Sequence, residues 1–125
     1  IVFRAEANRI VEVVGHGPAA ARYRSFFAAD PARANIAEVA FGCNDEARVT
    51  GNVLEDEKAG FHWAYGRSDH LGGRVGLADF KSPDHVVHQD IVYAKGSPIA
   101  VSAADLVTPD GTRIAVIRDG AYVLW

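Results

Sequence analysis

The sequence predicts an α+β fold made mainly of antiparallel β-strands with one principal helix. Short runs of β-branched and aromatic residues recur along the chain and are separated by turn-forming residues, which is typical of strands. One long segment, residues 17–31, has its apolar residues at the spacing of an amphipathic helix instead. With 125 residues, of which 49% are apolar, the chain suits one globular domain spanning residues 1–125.

The first elements form a predicted hairpin followed by the helix. "IVFRAE" and "RIVEVVG" are predicted strands joined at Ala7 and Asn8, since Asn tolerates the positive φ that tight hairpins require. The helix "GPAAARYRSFFAADP" has Pro18 in its first turn, where proline is accepted, and ends at Asp30. One apolar stripe of this helix should pack on the hairpin, and it consists of Ala20, Tyr23, Phe26 and Phe27.

The middle of the chain alternates strands with turn-rich segments. "NIAEVAFGCN" is a predicted strand broken by Gly42, "NVLEDEKAG" holds two helical turns that end at Gly60, and "FHWAYG" is a short strand. The segment "RSDHLGGRVGLADFKSPD" is a long Gly-rich loop. Loops of this length in a small domain are more often functional than not.

The last part of the chain is predicted to be strands joined by turns. "HVVHQDIVYAKG", residues 85–96, reads as a strand that closes into a turn at its end. "SPIAVSAADLV", "TRIAVIR" and "AYVLW" follow as further strands, separated by the turns "TPDG" and "DG".

Composition excludes several classes of function. The net charge is −3, and the 13 basic and 16 acidic residues form no long runs, so no nucleic-acid surface or polybasic membrane patch is expected. Cys43 is the single cysteine, which excludes an internal disulfide and a multi-cysteine zinc site. No apolar stretch reaches the length of a membrane span, so we expect a soluble, cytoplasmic protein. The chain enters strand pattern at Ile1, and we expect a fragment of a longer protein.

Four polar residues on predicted strands are candidate metal ligands. His88 and Asp90 are two residues apart, so they leave one strand on the same face. Glu38 and His62 lie on two other apolar strands, where an unpaired charge would be costly to bury. Each alone is more often solvated or hydrogen-bonded, but together they form a mixed N/O site suited to Zn²⁺, Fe²⁺, Mn²⁺ or Co²⁺.

Other candidates for chemistry are weaker. Glu57, in the acidic cluster "LEDEK", is the first choice there for a general base or for an oxygen partner of the His62 ring. No G-x-S-x-G motif supports serine hydrolysis, Cys43 is more readily a small buried side chain than a nucleophile, and "LGGRVG" lacks the lysine of a phosphate loop.

The succession of motifs from about Ile10 to Asp90 resembles the C-terminal half of the M29 metallopeptidases, the aminopeptidase T or thermophilic aminopeptidase family. The resemblance is strongest at "NIAE", "TGNVLEDEK", "HWAYG" and "HQD", which occur in the family's order. It implies that the ligands of a pair of divalent ions, Zn, Co or Mn, include Glu38, His62, His88 and Asp90. It also implies a possible homodimer that hydrolyses the N-terminal peptide bond of small peptides through metal-activated water.

The resemblance also has departures and alternatives. The family's first metal-binding Glu belongs to an upstream region that this chain does not contain, as does a preceding α/β domain, so we expect one metal ion or none rather than two. The family has a Tyr a few residues past the position of His62. Here Tyr65 is too early, and Asp69 lies nearer that place. If the chain hydrolyses peptides as the resemblance implies, a carboxylate such as Glu57 or Asp69 would carry the proton of the metal-activated water.

Two alternative functions remain open at this point. A related branch contains ring-cleaving dioxygenases of dihydroxypyridines, in which two His and one Asp hold Fe(II). His62, His88 and Asp90 would supply that set and leave coordination positions for the small-molecule substrate and O₂. The other alternative is a degenerate, non-catalytic relative that serves as a dimerisation or interaction module.

Overall fold

The computed structural model describes residues 1–124, and in that range strand is the most common regular structure. The predicted α+β class is confirmed. The elements in chain order are β1 Val2–Glu6, β2 Arg9–Val14, α1 Pro18–Ala29, β3 Ile36–Phe41, α2 Val53–Asp56, β4 Phe61–Gly66, β5 His88–Val92, β6 Ala103–Val107, β7 Arg113–Arg118 and β8 Ala121–Tyr122. The sheet orders are β1-β2, β3-β4-β5 and β6-β7-β8.

The described residues divide into two compact units. Unit 1 contains Ile1–Val39 and Trp63–Ile91, and unit 2 contains Ala40–His62 and the chain from Val92 onward. In unit 1 the amide of Gly66 donates to the carbonyl of Asn35, and in unit 2 the amide of Gly42 donates to the carbonyl of Gly60, which is antiparallel pairing of β3 with β4.

In unit 1 the predicted hairpin and helix are confirmed. Strands β1 and β2 pair in antiparallel register from Val2 opposite Val14 to Glu6 opposite Arg9. Ala7 and Asn8 have φ of 47° and 62°, the left-handed pair that a two-residue turn needs. The apolar stripe of α1 packs on this hairpin as predicted, because the ring of Phe3 lies edge-on to the rings of Tyr23 and Phe27.

The core of unit 1 joins the hairpin, α1 and the sheet. Its buried members are Ile10, Val13, Ala20, Phe27, Ala34 and Tyr65. Ile36, Trp63, Val87 and Ile91 pack against them from β3, β4 and the approach to β5. The apolar residues of the sheet therefore pack it against the helix. On β5, His88 and Asp90 alternate with these residues and so point to the opposite face of the sheet.

A buried carboxylate fixes the chain after α1. Asp30 accepts hydrogen bonds from the amides of Ala32 at 3.0 Å and Lys81 at 2.8 Å and contacts His85 Nδ1 at 3.0 Å. Burial by itself raises the pKa of Asp30, but these hydrogen bonds outweigh it and hold the pKa below its usual value. Asp30 thus ties the end of the helix to residues about 50 positions later in the chain.

The strand predicted to run through residues 85–96 is shorter than expected. Pro83–His85 form a 3-10 turn, and β5 begins at His88. The Arg33 side chain donates to the carbonyl of His85 at 3.0 Å, and Asp30 contacts the His85 ring, so long-range contacts hold this turn. The β-propensity of Val86 and Val87 is overridden by these contacts.

Unit 2 carries the remaining elements. The predicted helical turns are α2 and a 3-10 turn over Glu57–Ala59. Strands β6 and β7 pair in antiparallel register, and β7 pairs with the short β8. Asp105 on β6 accepts from both Arg113 and Arg118 of β7, and these bonds hold the Asp105 pKa below its usual value. The prediction of a last strand over "AYVLW" is met only at Ala121–Tyr122, and its Trp125 lies outside the described residues.

Candidate metal centre

The side chains of Glu38, His88 and Asp90 meet within unit 1. Glu38 lies on β3, and His88 and Asp90 lie on β5 with one residue between them, so all three reach the same place from the two strands that flank β4. His88 Nε2 lies 3.5 Å from Glu38 Oε2 and 3.7 Å from Asp90 Oδ1. One ligand atom from each residue lies within 4.8 Å of the other two. The structure therefore has a His/carboxylate group that could hold a metal ion.

The orientation of the His88 ring is set by a backbone oxygen. His88 Nδ1 lies 2.7 Å from the carbonyl oxygen of Arg67. A carbonyl can only accept, so Nδ1 carries the proton, and a neutral ring then has its lone pair on Nε2. That lone pair belongs to the nitrogen nearest Glu38 and Asp90. Histidine ligands of metals usually have this arrangement, with the other ring nitrogen bound to an oxygen.

Asp90 has a buried carboxylate oxygen without a hydrogen-bond donor among the described residues. Its Oδ1 is completely buried and accepts no hydrogen bond from any residue between 1 and 124. The 3.7 Å separation from His88 Nε2 is too long for a hydrogen bond. Buried carboxylate oxygens are normally hydrogen-bonded, because burying an unpaired polar atom is costly. An ion at this point would give Asp90 Oδ1 a partner that residues 1–124 do not provide.

The separations suit a small divalent ion. A tetrahedral ion with ligand distances of about 2.1 Å has its ligand atoms about 3.4 Å apart. The 3.5 and 3.7 Å separations around His88 Nε2 are close to this value, so small side-chain movements would complete the coordination. The three side chains are only 11–22% exposed, which limits screening of two carboxylates by water. One nitrogen and two carboxylate oxygens match the preference of Zn²⁺, Co²⁺ or Mn²⁺.

Two other residues predicted for the site, His62 and Glu57, belong to unit 2. His62 is buried on β4, and its Nδ1 lies 3.1 Å from the carbonyl oxygen of Gly60. By the same reasoning as for His88, Nδ1 carries the proton and Nε2 the lone pair. Glu57 is partly buried and begins the 3-10 turn after α2. Their participation in the metal centre stays a prediction.

The sequence analysis missed what holds the turn before Glu57. Asp56 is buried and accepts from the amide of Thr50 at 2.6 Å and from the amide of Gly51 at 3.0 Å. Asn52 caps α2 by accepting from the amide of Leu54 at 3.1 Å. The "TGNVLED" stretch is therefore a turn held by its own hydrogen bonds, and it fixes the position of Glu57, where the 3-10 turn begins.

Asp69, the other predicted proton carrier, lies in unit 1 at the start of the long loop. It forms an ion pair with Arg67, and the hydrogen bonds from Arg67 hold the pKa of Asp69 below its usual value. His70 lies 3.7 Å from Asp69, and its ring contacts the His88 ring edge-on at 4.7 Å between centroids. Asp69 is thus connected to the centre through His70, but its lowered pKa makes it a weak base. Its role as a proton carrier stays a prediction.

Comparisons with known proteins add no assignment. Searches against family models, curated proteins and solved structures gave no match. Among residues 1–124, none of the helices has the length and apolar character needed to cross a bilayer. The side chains described above are therefore the basis for any function of this chain.

Proposed function

We propose that this chain is a divalent-metal-binding catalytic domain that hydrolyses the N-terminal peptide bond of small peptides, as an M29-type aminopeptidase does. The observation that carries the proposal is the convergence of His88 Nε2, Glu38 Oε2 and the buried, unbonded Asp90 Oδ1. A divalent cation bound between these three atoms would offset the charge of the two carboxylates and accept the lone pair of His88 Nε2. The resemblance in motif order supplies the reaction class.

Within this proposal each residue has a stated role. Glu38, His88 and Asp90 hold the ion, and His62 is the further ligand that the resemblance to the M29 family assigns. When bound, a divalent ion lowers the pKa of a coordinated water and polarises a carbonyl. Glu57 is the preferred proton carrier, because Asp69 is already neutralised by Arg67.

An oxygenase is the second candidate, and one observation favours it. His62 and His88 both donate Nδ1–H to a backbone carbonyl, which is the tautomer that imidazole ligands use, and with Asp90 they are the two-His, one-carboxylate iron set that the resemblance to the dioxygenase branch implies. Such a protein would consume O₂ and open a dihydroxylated ring. The presence of Glu38 beside His88 favours hydrolysis instead, because it adds a second carboxylate to the set.

One experiment separates these candidates. The full chain is purified without chelator, its metal content is measured by elemental analysis, and it is assayed with leucine p-nitroanilide and, under air, with 2,5-dihydroxypyridine. Zinc, cobalt or manganese together with amide hydrolysis supports the aminopeptidase. Iron with oxygen uptake supports the oxygenase. A folded protein that takes up no divalent ion supports a non-catalytic module and contradicts the proposal.

A pair of histidine variants assigns the metal to this centre. His88→Ala should remove bound metal, because it deletes the nitrogen ligand, while the hairpin and α1 remain folded. His16→Ala is the matched control, because His16 is exposed in the loop between β2 and α1. Equal metal content in both variants would remove His88 from the site. Circular dichroism verifies that both variants keep the fold.

A further inference from the structure

A cavity adjoins the metal centre within unit 1. It has a volume of about 680 Å³, and its lining includes Glu38, which it shares with the metal centre, and the loop residues Gly72, Gly73 and Arg74. Ligand sites for small molecules typically measure about 300–1,000 Å³. Glu38 therefore belongs both to the proposed metal centre and to a cavity of the right size for a small substrate such as a dipeptide.

The loop that carries Arg74 is held in a fixed shape. The amides of Ser68 and Asp69 both donate to the carbonyl of Val75, at 2.8 and 3.1 Å, and the Gly73 amide donates to the carbonyl of Ser68 at 2.9 Å. Residues 68–75 thus form a closed turn. A Cβ on Gly73 would lie 2.3 Å from the Ser68 hydroxyl oxygen, so only glycine allows this close approach.

Ser68 fastens this turn to the sheet. It is buried, and its hydroxyl oxygen is the acceptor for the Asn35 side-chain amide at 3.4 Å and for the Val75 amide at 3.3 Å. Asn35 immediately precedes β3, the strand that carries Glu38. The hydrogen bonds of Ser68 to Asn35 and Val75 therefore hold the turn with Arg74 next to the strand with Glu38, and both line the same cavity.

Arg74 has no hydrogen-bonding or charged partner among the described residues. Its side chain is exposed, and among residues 1–124 it forms neither a hydrogen bond nor an ion pair. The neighbouring Arg67, by contrast, is paired with Asp69. An arginine guanidinium offers donors in a planar fork that matches a carboxylate. A rigid turn that presents such an unpaired group into a cavity is an anion-recognition feature.

The geometry points to Arg74 as the residue that binds the free carboxylate of a small substrate, so that the cavity accepts a short peptide with an intact C-terminus. This inference rests on the proposed function for the other end of the substrate, which lies toward Glu38. It goes beyond that function by naming the substrate class, a dipeptide-sized molecule with a carboxylate, and the specificity-determining residue.

The test compares a dipeptide with its amide. Binding of Leu-Gly and of Leu-Gly amide to the full chain is measured by isothermal titration calorimetry, with and without added Co²⁺. We expect the wild type to prefer the free acid by about tenfold, the factor for one charge-assisted interaction. Arg74→Gln should abolish this preference, and Arg74→Lys, which keeps the charge but not the fork, should retain part of it.

The matched control is Arg22→Gln, which removes the same charge from the exposed surface of α1, outside this cavity. It should leave the preference unchanged. Equal binding of acid and amide by the wild type, loss of preference in Arg22→Gln as well, or no detectable binding of the acid would each overturn the inference. A preference that depends on Arg74 in protein that binds no Co²⁺ would refute the metal centre and leave the role of Arg74 intact.

Discussion

Replacing Asp90 with asparagine should have opposite effects on the stability of the protein with and without metal. Asp90 Oδ1 is buried without a hydrogen-bond donor, and the lone pair of His88 Nε2 is 3.7 Å away. An asparagine amide at this position has a donor for His88 or Glu38 and removes one of two adjacent negative charges. In the absence of metal, the variant should therefore be more stable than the wild type.

The size of each effect follows from the structure. One new hydrogen bond at a mostly buried site contributes about 1 kcal/mol, which for a chain of this length raises Tm by about 4 °C. Metal present at one hundred times its Kd should stabilise the wild type by about 2.7 kcal/mol, or about 10 °C in Tm. Asp90→Asn loses the charged ligand and should show no such gain.

The assay is thermal unfolding followed by circular dichroism, in EDTA and in Co²⁺. Asp84→Asn is the matched control, because it makes the same chemical change in unit 1 on an exposed side chain. The control should behave as the wild type in both conditions. If Asp90→Asn gains as much stability from Co²⁺ as the wild type does, the reasoning about this carboxylate is refuted.

Three further predictions concern the framework of unit 1. Phe27→Ala should destabilise the protein by about 3–5 kcal/mol in urea unfolding, because it empties the centre of the aromatic cluster; a loss below about 1 kcal/mol would contradict that packing. Asp30 has a lowered pKa in the folded state. Its contribution to the free energy of unfolding is therefore present above its unfolded-state pKa of about 3.9 and is lost as the pH falls through its folded-state pKa. Urea midpoints measured against pH should therefore drop less steeply on the acid side in Asp30→Asn, whereas parallel curves would argue against the assignment. Burial and nearby Tyr23 raise the pKa of Tyr65 to about 12, so phenolate absorbance should lose a step near that pH in Tyr65→Phe, whereas loss of a step at the ordinary tyrosine pKa of about 10 would show that the ring is not buried.

Local signals in the sequence were sufficient for the elements that depend on neighbouring residues. The positive φ of Asn8 and the stripe on α1 follow from short-range rules, and both were predicted. The site was predictable where alternation places residues together, as for His88 and Asp90 on β5. The start of β5 was not, because it depends on Arg33 and Asp30, which lie more than 50 residues away.

The parts of the site that were missed are contacts between residues that are far apart in the sequence. The carbonyl of Arg67 orients His88 across 21 positions, and Asn35 reaches Ser68 across 33. The sequence does not indicate that the carbonyl of Arg67 orients the His88 ring or that the hydroxyl of Ser68 closes a turn. The Gly-rich stretch was a sign that the loop had a function, but the unpaired state of Arg74 appears only in the folded chain.

The most direct measurement is an anomalous diffraction map from crystals of the protein soaked in Zn²⁺ or Co²⁺. We expect a peak about 2.1 Å from His88 Nε2 and from one carboxylate oxygen each of Glu38 and Asp90. The same crystals of His88→Ala should lack that peak. A well-ordered map with no peak between these side chains, or with the metal bound only elsewhere, would contradict the central claim.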